Sequence, residues 1–246
     1  MKEAVIYLVT ITVAEVITVL VHPVWGIVIH ILLLAGLIIH SALSSKTITQ
    51  NFLLSLALVP LIRIISLSMP LANIPQIWWY PIIYAPLLLA AYQVTRLLEI
   101  NRKQIGLDIK FIGVQVGIAL AGFLFGFGEY FILTEEAEVT GLVLTETWAL
   151  SAFLLLVCTG FVEEFTFRGV LQHTATQAFG WLGIVYISLV FAIVHMIHNS
   201  LLDLFYVFLI AMFFGWAVKK TGSLLGVTLS HGIANITLFL IAPLIF

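Results

Sequence analysis

Apolar runs of the length that carries a helix across a bilayer, about 20 residues, dominate this chain and restrict its fold more than any other feature. Candidate spans run from Ala4 to Val21, Val24 to Leu43, Phe52 to Met69, Trp79 to Val94 and Phe111 to Leu133. They continue from Trp148 to about Phe179, Trp181 to Ile197, Leu201 to Val218 and Ser223 to Leu244. Lipid is therefore the expected solvent, and the expected fold is all-α: a polytopic transmembrane helix bundle of about eight or nine spans, built as a single domain over residues 1–246. Composition agrees, since 62% of the 246 residues are hydrophobic and only 9% are charged, far too few charges to clothe a soluble domain of this size. The Trp79 segment is the weakest, because it is short and holds Pro81 and Pro86, which kink or interrupt helices. No small-residue cleavage site follows the first apolar run, which reads as a retained helix.

The few charges are unevenly placed. Lys2 precedes the first span, Lys46 falls between the second and third, Arg96, Arg102, Lys103 and Lys110 between the fourth and fifth, and Lys219 and Lys220 between the eighth and ninth. With nine spans they share one face, and the opposite loops hold no Lys or Arg. One of those opposite loops carries Glu135, Glu136, Glu138 and Glu146. Basic residues collect on the cytoplasmic side, so the N-terminus is expected inside and the C-terminus outside. The basic stretch 96–110 interleaves Leu97, Leu98, Ile100, Ile105 and Leu107 and predicts an interfacial amphipathic helix. A net charge of −2 gives no reason to expect a nucleic-acid partner. The lone Cys158 rules out an intramolecular disulfide and reads as packing. Gly122, Gly126 and Gly128 in the fifth span predict close helix approach.

Ionisable side chains inside hydrocarbon are costly, by at least ~2.5–3.5 kcal/mol each on insertion scales, so those present need an explanation. Phe161-Val162-Glu163-Glu164-Phe165-Thr166-Phe167-Arg168 puts two carboxylates and a guanidinium in one apolar helix. Glu164 and Arg168, four apart, share a face and can pair. Glu163 is turned by roughly 100° and is left to titrate, as a general base must. His195 follows in the next span. If the helices turn near Gly180, Glu163 and His195 reach similar depth and could hold a water between them. In the last span His231 and Asn235, again four apart, present two hydrogen-bond donors on one face, as a developing oxyanion requires. Glu15, His30, His40 and Arg63 lie in the first three spans without a shared spacing and read as structural or pore-facing. His198 could line the same cavity as His195 but ranks below it.

Three motifs in this order resemble those of the CPBP family, which comprises CaaX prenyl endopeptidases of the Ras-converting type with bacteriocin-processing and immunity (ABI-type) proteins. The matching residues are Glu163-Glu164 with Arg168, Phe191 with His195, and His231 with Asn235. Phe167-Arg168-Gly169 and Thr221-Gly222-Ser223-Leu224 look like flanking parts of the first and third motifs. The resemblance covers roughly Leu150 to Leu240, so the core motifs fall in residues 146–246 and helices alone in 1–145. It implies a polar cavity in which Glu163 and His195 activate a water and His231 and Asn235 stabilise the oxyanion. Glu164, Arg168 and Phe191 would support the site. A peptide or protein substrate, prenylated at a CaaX-like C-terminus, would come from membrane lipid. No cofactor is expected, with Zn2+ on Glu163, His195 and His231 as the alternative. The absence of an HExxH pair and the presence of Asn235, a poor zinc ligand, favour the metal-free form. Two other readings stay open: a proton-coupled membrane transporter, and a non-proteolytic scaffold or immunity protein of the same family. Prenyl transfer lacks its aspartate-rich motif, since Asp108 and Asp203 are the only aspartates.

Overall fold

A computed structural model describes residues 2–69, 74–75, 78–134, 148–196 and 199–246. The acidic loop with Glu135, Glu136, Glu138 and Glu146, and also His198, lie outside the described residues. The described chain is all-α. Seven helices are long and apolar enough to cross a membrane. They are α1 (Lys2–Leu20), α2 (Pro23–Leu43), α3 (Thr47–Ser68), α6 (Ile112–Thr134), α7 (Trp148–Phe179), α9 (Leu201–Thr221) and α10 (Leu225–Ile245). Between them stand α4 (Trp79–Leu97), the single turn α5 (Arg102–Ile105) and the 14-residue α8 (Trp181–Val194).

Pro81 falls in the first turn of α4, where a missing N–H costs little, and Pro86 lies inside the helix, whose full length is nonetheless 19 residues. The amphipathic stretch 96–110 is not one helix. Its start closes α4, Glu99 takes φ 54°, and α5 begins afresh with Asn101 and Gln104 in a reciprocal capping box. Gly106 ends that turn at φ 90°. Local capping overrides the amphipathic pattern here. The turn then docks on the core: the Leu224 N–H donates to the Gly106 carbonyl at 2.7 Å. A Cβ on Gly169 would lie 2.7 Å from the Ile105 side chain, so glycine there makes the seat.

The central helix is α10, held between α6 and α7. Cβ atoms on Gly122 and Gly126 would collide with the carbonyls of Ser230 and Ala234, and one on Gly160 would meet the Thr228 carbonyl at 2.8 Å. Backbones can approach this closely only where side chains are missing. Both glycine seams border the residues next to His231 and Asn235. The third glycine of the α6 set, Gly128, seats Tyr206, whose hydroxyl donates to the Phe125 carbonyl at 3.1 Å.

Glu15, His30 and Arg63, unrelated by spacing, meet at the centre of α1, α2 and α3. Arg63 donates through two nitrogens to the two oxygens of Glu15, each at 2.6 Å, and His30 Nε2 lies 3.0 Å from Glu15 Oε1. His40 contacts the Tyr7 hydroxyl through Nδ1 at 2.9 Å.

Candidate active site

The carboxylate pair sits on an unusual part of α7. From Leu155 to Glu163 and from Phe165 to Leu171 the helix is wound wide, with π-type hydrogen bonding, before it tightens again from Gln172 to Phe179. Such winding is rare beyond a single turn and gathers at functional sites. It changes the angle between successive side chains, and Glu163 and Glu164 part company. Glu164 turns into the protein, fully buried, 3.3 Å from Arg168 Nε and 2.9 Å from His231 Nδ1. Glu163 turns toward a cavity of about 190 Å³ that is also lined by His195, His231 and Asn235.

Each of these side chains is oriented by a neighbour. The Tyr84 hydroxyl on α4 donates a hydrogen bond to Glu163 Oε1. Glu163 Oε2 lies 3.9 Å from His231 Nε2 and has no hydrogen bond among the described residues. His195 stands just past the end of α8, not within a span, with Nδ1 2.7 Å from the Phe191 carbonyl and its ring centroid 4.5 Å from that of Phe191. The Phe191 ring in turn lies under the Arg168 guanidinium, 4.5 Å from Cζ. Asn235 Nδ2 donates to Thr159 Oγ1 at 2.8 Å, which leaves its second N–H for another acceptor.

The structure thus brings Glu163, His195, His231 and Asn235 to one cavity, with Phe191 in its wall and Glu164 and Arg168 directly behind it. The pairing of Glu164 with Arg168 matches the i, i+4 expectation. Glu163 differs from the sequence reading in having a partner, Tyr84, delivered by the proline-containing helix. Tyr84 and Thr159 carry no sequence signal, since a Tyr and a Thr in apolar helices are ordinary. Glu129 on α6 also lines the cavity and is buried. Its signal was visible, an ionisable residue in an apolar span.

A donor set can be tested against zinc. Among the described residues, no three His, Cys, Asp or Glu side chains gather closely enough to hold a metal ion. As placed, Glu163, His195 and His231 do not fit a three-ligand zinc site.

Comparison with known proteins agrees with the motifs. Residues 145–237 match the family model described as type II CAAX prenyl endopeptidase Rce1-like. No curated protein and no solved structure matches the chain. The matched stretch contains every motif residue from Glu163 to Asn235, and over it this multi-pass membrane protein is similar to the CAAX-type intramembrane endopeptidases.

Proposed function

We propose that the chain hydrolyses a peptide bond inside the membrane with a water activated by Glu163 and His195, near the C-terminus of a prenylated CaaX-like substrate. The convergence of Glu163, His195, His231 and Asn235 on one cavity carries this reading. Tyr84 holds one oxygen of the Glu163 carboxylate, and the other is directed to the space where a water would sit. Glu163 takes a proton from that water, and the hydroxide oxygen bonds to the scissile carbonyl carbon. The resulting oxyanion accepts from the second N–H of Asn235 and from His231 Nε2. His231 Nδ1 faces Glu164, which pairs with Arg168, so donation from both ring nitrogens, to that carboxylate and to the oxyanion, requires the imidazolium, its charge set between two carboxylates. Collapse of the tetrahedral intermediate breaks the C–N bond. Glu163 gives its proton to the departing amine.

The spread of the donors supports a metal-free route. The same reading puts the N-terminus and the basic loops on the cytoplasmic side and the C-terminus outside. Lys2 and Lys46 border one hollow, and Lys103 and Lys219 border another.

The test is incubation of the purified protein with a farnesylated CaaX peptide, with and without chelator, beside Glu163→Gln. Cleavage that resists chelation is expected, with a fall of ~10²–10⁴-fold in the variant, the usual share of a general base. Loss of cleavage on chelation with recovery on adding zinc would overturn the metal-free route. Wild-type rates in Glu163→Gln would overturn the role given to that carboxylate.

A further inference from the structure

The reaction cavity holds a second carboxylate, which the chemistry above does not use. Glu129, toward the C-terminal end of α6, is only 9% exposed and lines the cavity together with Glu163. It makes no hydrogen bond or ion pair among the described residues, yet its oxygens are not sealed in protein as those of Asp203 are. The ionisable groups around it leave it without a cation of its own. On α9, Asp203 adds negative charge, and Tyr206 spends its hydroxyl hydrogen on the Phe125 carbonyl at 3.1 Å. On α7, Glu163 adds more. On α10, His231 has the opposite sign, but it is held between Glu163 and Glu164. His195 keeps Nδ1 on the Phe191 carbonyl at 2.7 Å. No Lys or Arg lines the cavity among the described residues. A carboxylate buried without a counter-charge is costly.

We propose that Glu129 anchors a subsite for an alkylammonium group, the head of a lysine-type side chain in the substrate. The walls beside it suit the stem of such a side chain: Val207, Ile210 and Phe214 on α9 and Phe239 on α10. Lysine lays its methylenes along apolar surface and carries its charge to an acceptor at the tip. An ammonium has three hydrogens to donate, and a carboxylate accepts them in charge-assisted bonds. The cavity, at about 190 Å³, is several times the ~30 Å³ of a water in the liquid, room for one side chain beside the attacking water. The incoming cation supplies the counter-charge that Glu129 lacks, and an apolar side chain in the same place does not. The subsite itself stands apart from catalysis. Its assignment to a substrate residue flanking the scissile bond rests on the peptidase reading.

Binding is measured first, as the thermal midpoint of the full chain in neutral detergent at pH 7. One titrant is n-pentylamine, an ammonium at that pH, and the other is n-pentanol, the same stem without charge. The amine should raise the midpoint at concentrations at least about tenfold lower, the share of one hydrogen bond between charged groups. Glu129→Gln removes a charge that has no partner, so the chain should stay folded and the preference should vanish. Glu129→Asp should recover part of it, and Glu3→Gln, an exposed acid on α1, should keep it whole. Equal responses to amine and alcohol, or a preference that survives Glu129→Gln, would overturn the subsite. So would a preference lost in Glu163→Gln and kept in Glu129→Gln, since the cation would then sit on the other carboxylate. Cleavage is measured second, as kcat/KM for farnesylated CaaX peptides with Lys or norleucine at each position flanking the scissile bond. At one position Lys should be favoured at least about tenfold by the wild type and not by Glu129→Gln. No preference at any position would overturn the assignment to the substrate. Amine binding without cleavage of any peptide would instead sink the peptidase reading and leave the subsite standing.

Discussion

Two clusters of buried charge stand side by side in this bundle and are built differently. In the first, Glu15, Arg63 and His30 close on one another. Both carboxylate oxygens are taken by the guanidinium at 2.6 Å, and the imidazole adds a contact at 3.0 Å. In the second, Arg168 meets Glu164 through one nitrogen at 3.3 Å, and Glu163 Oε2 has no protein donor among the described residues. The carboxylate of the first cluster is fully buried, and Arg63 alone of its three members reaches a hollow, one shared with Tyr84 and Glu163, whereas Glu163 itself lines the reaction cavity. A buried ion pair is retained cheaply only when its hydrogen bonds are complete. The closed triad pins three helices together. The open cluster keeps capacity in reserve, and such capacity in a membrane interior marks chemistry or binding.

Substitutions can break this contrast. Arg63→Ala should cost most, about 3–5 kcal/mol of stability, because it strands a buried carboxylate. Cleavage per folded molecule should remain near wild type, and thermal unfolding beside a peptide assay checks both. A large loss of cleavage in well-folded Arg63→Ala would dissolve the distinction between scaffold and site. Arg168→Ala should lower stability as well, by less because its pairing is incomplete, and should also lower cleavage. A wild-type melting temperature would remove its structural role. Asn235→Ala should reduce turnover by about 10²–10³, the share of a single oxyanion donor, while the melting temperature stays put. Unchanged turnover would count against the oxyanion assignment. Tyr84→Phe should have the smallest effect, roughly a tenfold loss of turnover from one hydrogen bond to a charged group. If it raised turnover, the tyrosine would be competing with the attacking water.

The contrast was only partly legible in the sequence. Four-residue spacing put Glu164 with Arg168 and His231 with Asn235, because a helix carries such pairs on one face. The glycines of α6 announced close packing for the same reason. Glu15, His30 and Arg63 could not be joined, since residues 15 and 48 positions apart meet only through tertiary packing. The wide winding of α7 was hidden too, as nothing in Leu155–Glu163 departs from an ordinary apolar helix. Hence the separation of Glu163 from Glu164 was expected from an ideal turn, and its cause was missed. Asn101, Gln104 and Gly106 did carry a local signature of a cap and a stop. The amphipathic pattern around them runs on through the break and does not mark it.

Consider, finally, what holds His231 and Asn235 in register. The seats of α10 are cut by hydrogens on other helices, at Gly122, Gly126 and Gly160. Advancing α10 by one residue would misalign every seat at once, so the reactive pair is indexed like a key by notches it does not itself carry. Inherited changes at those three positions should therefore be as poorly tolerated as changes to the histidine or the asparagine, although none of the three offers a functional group.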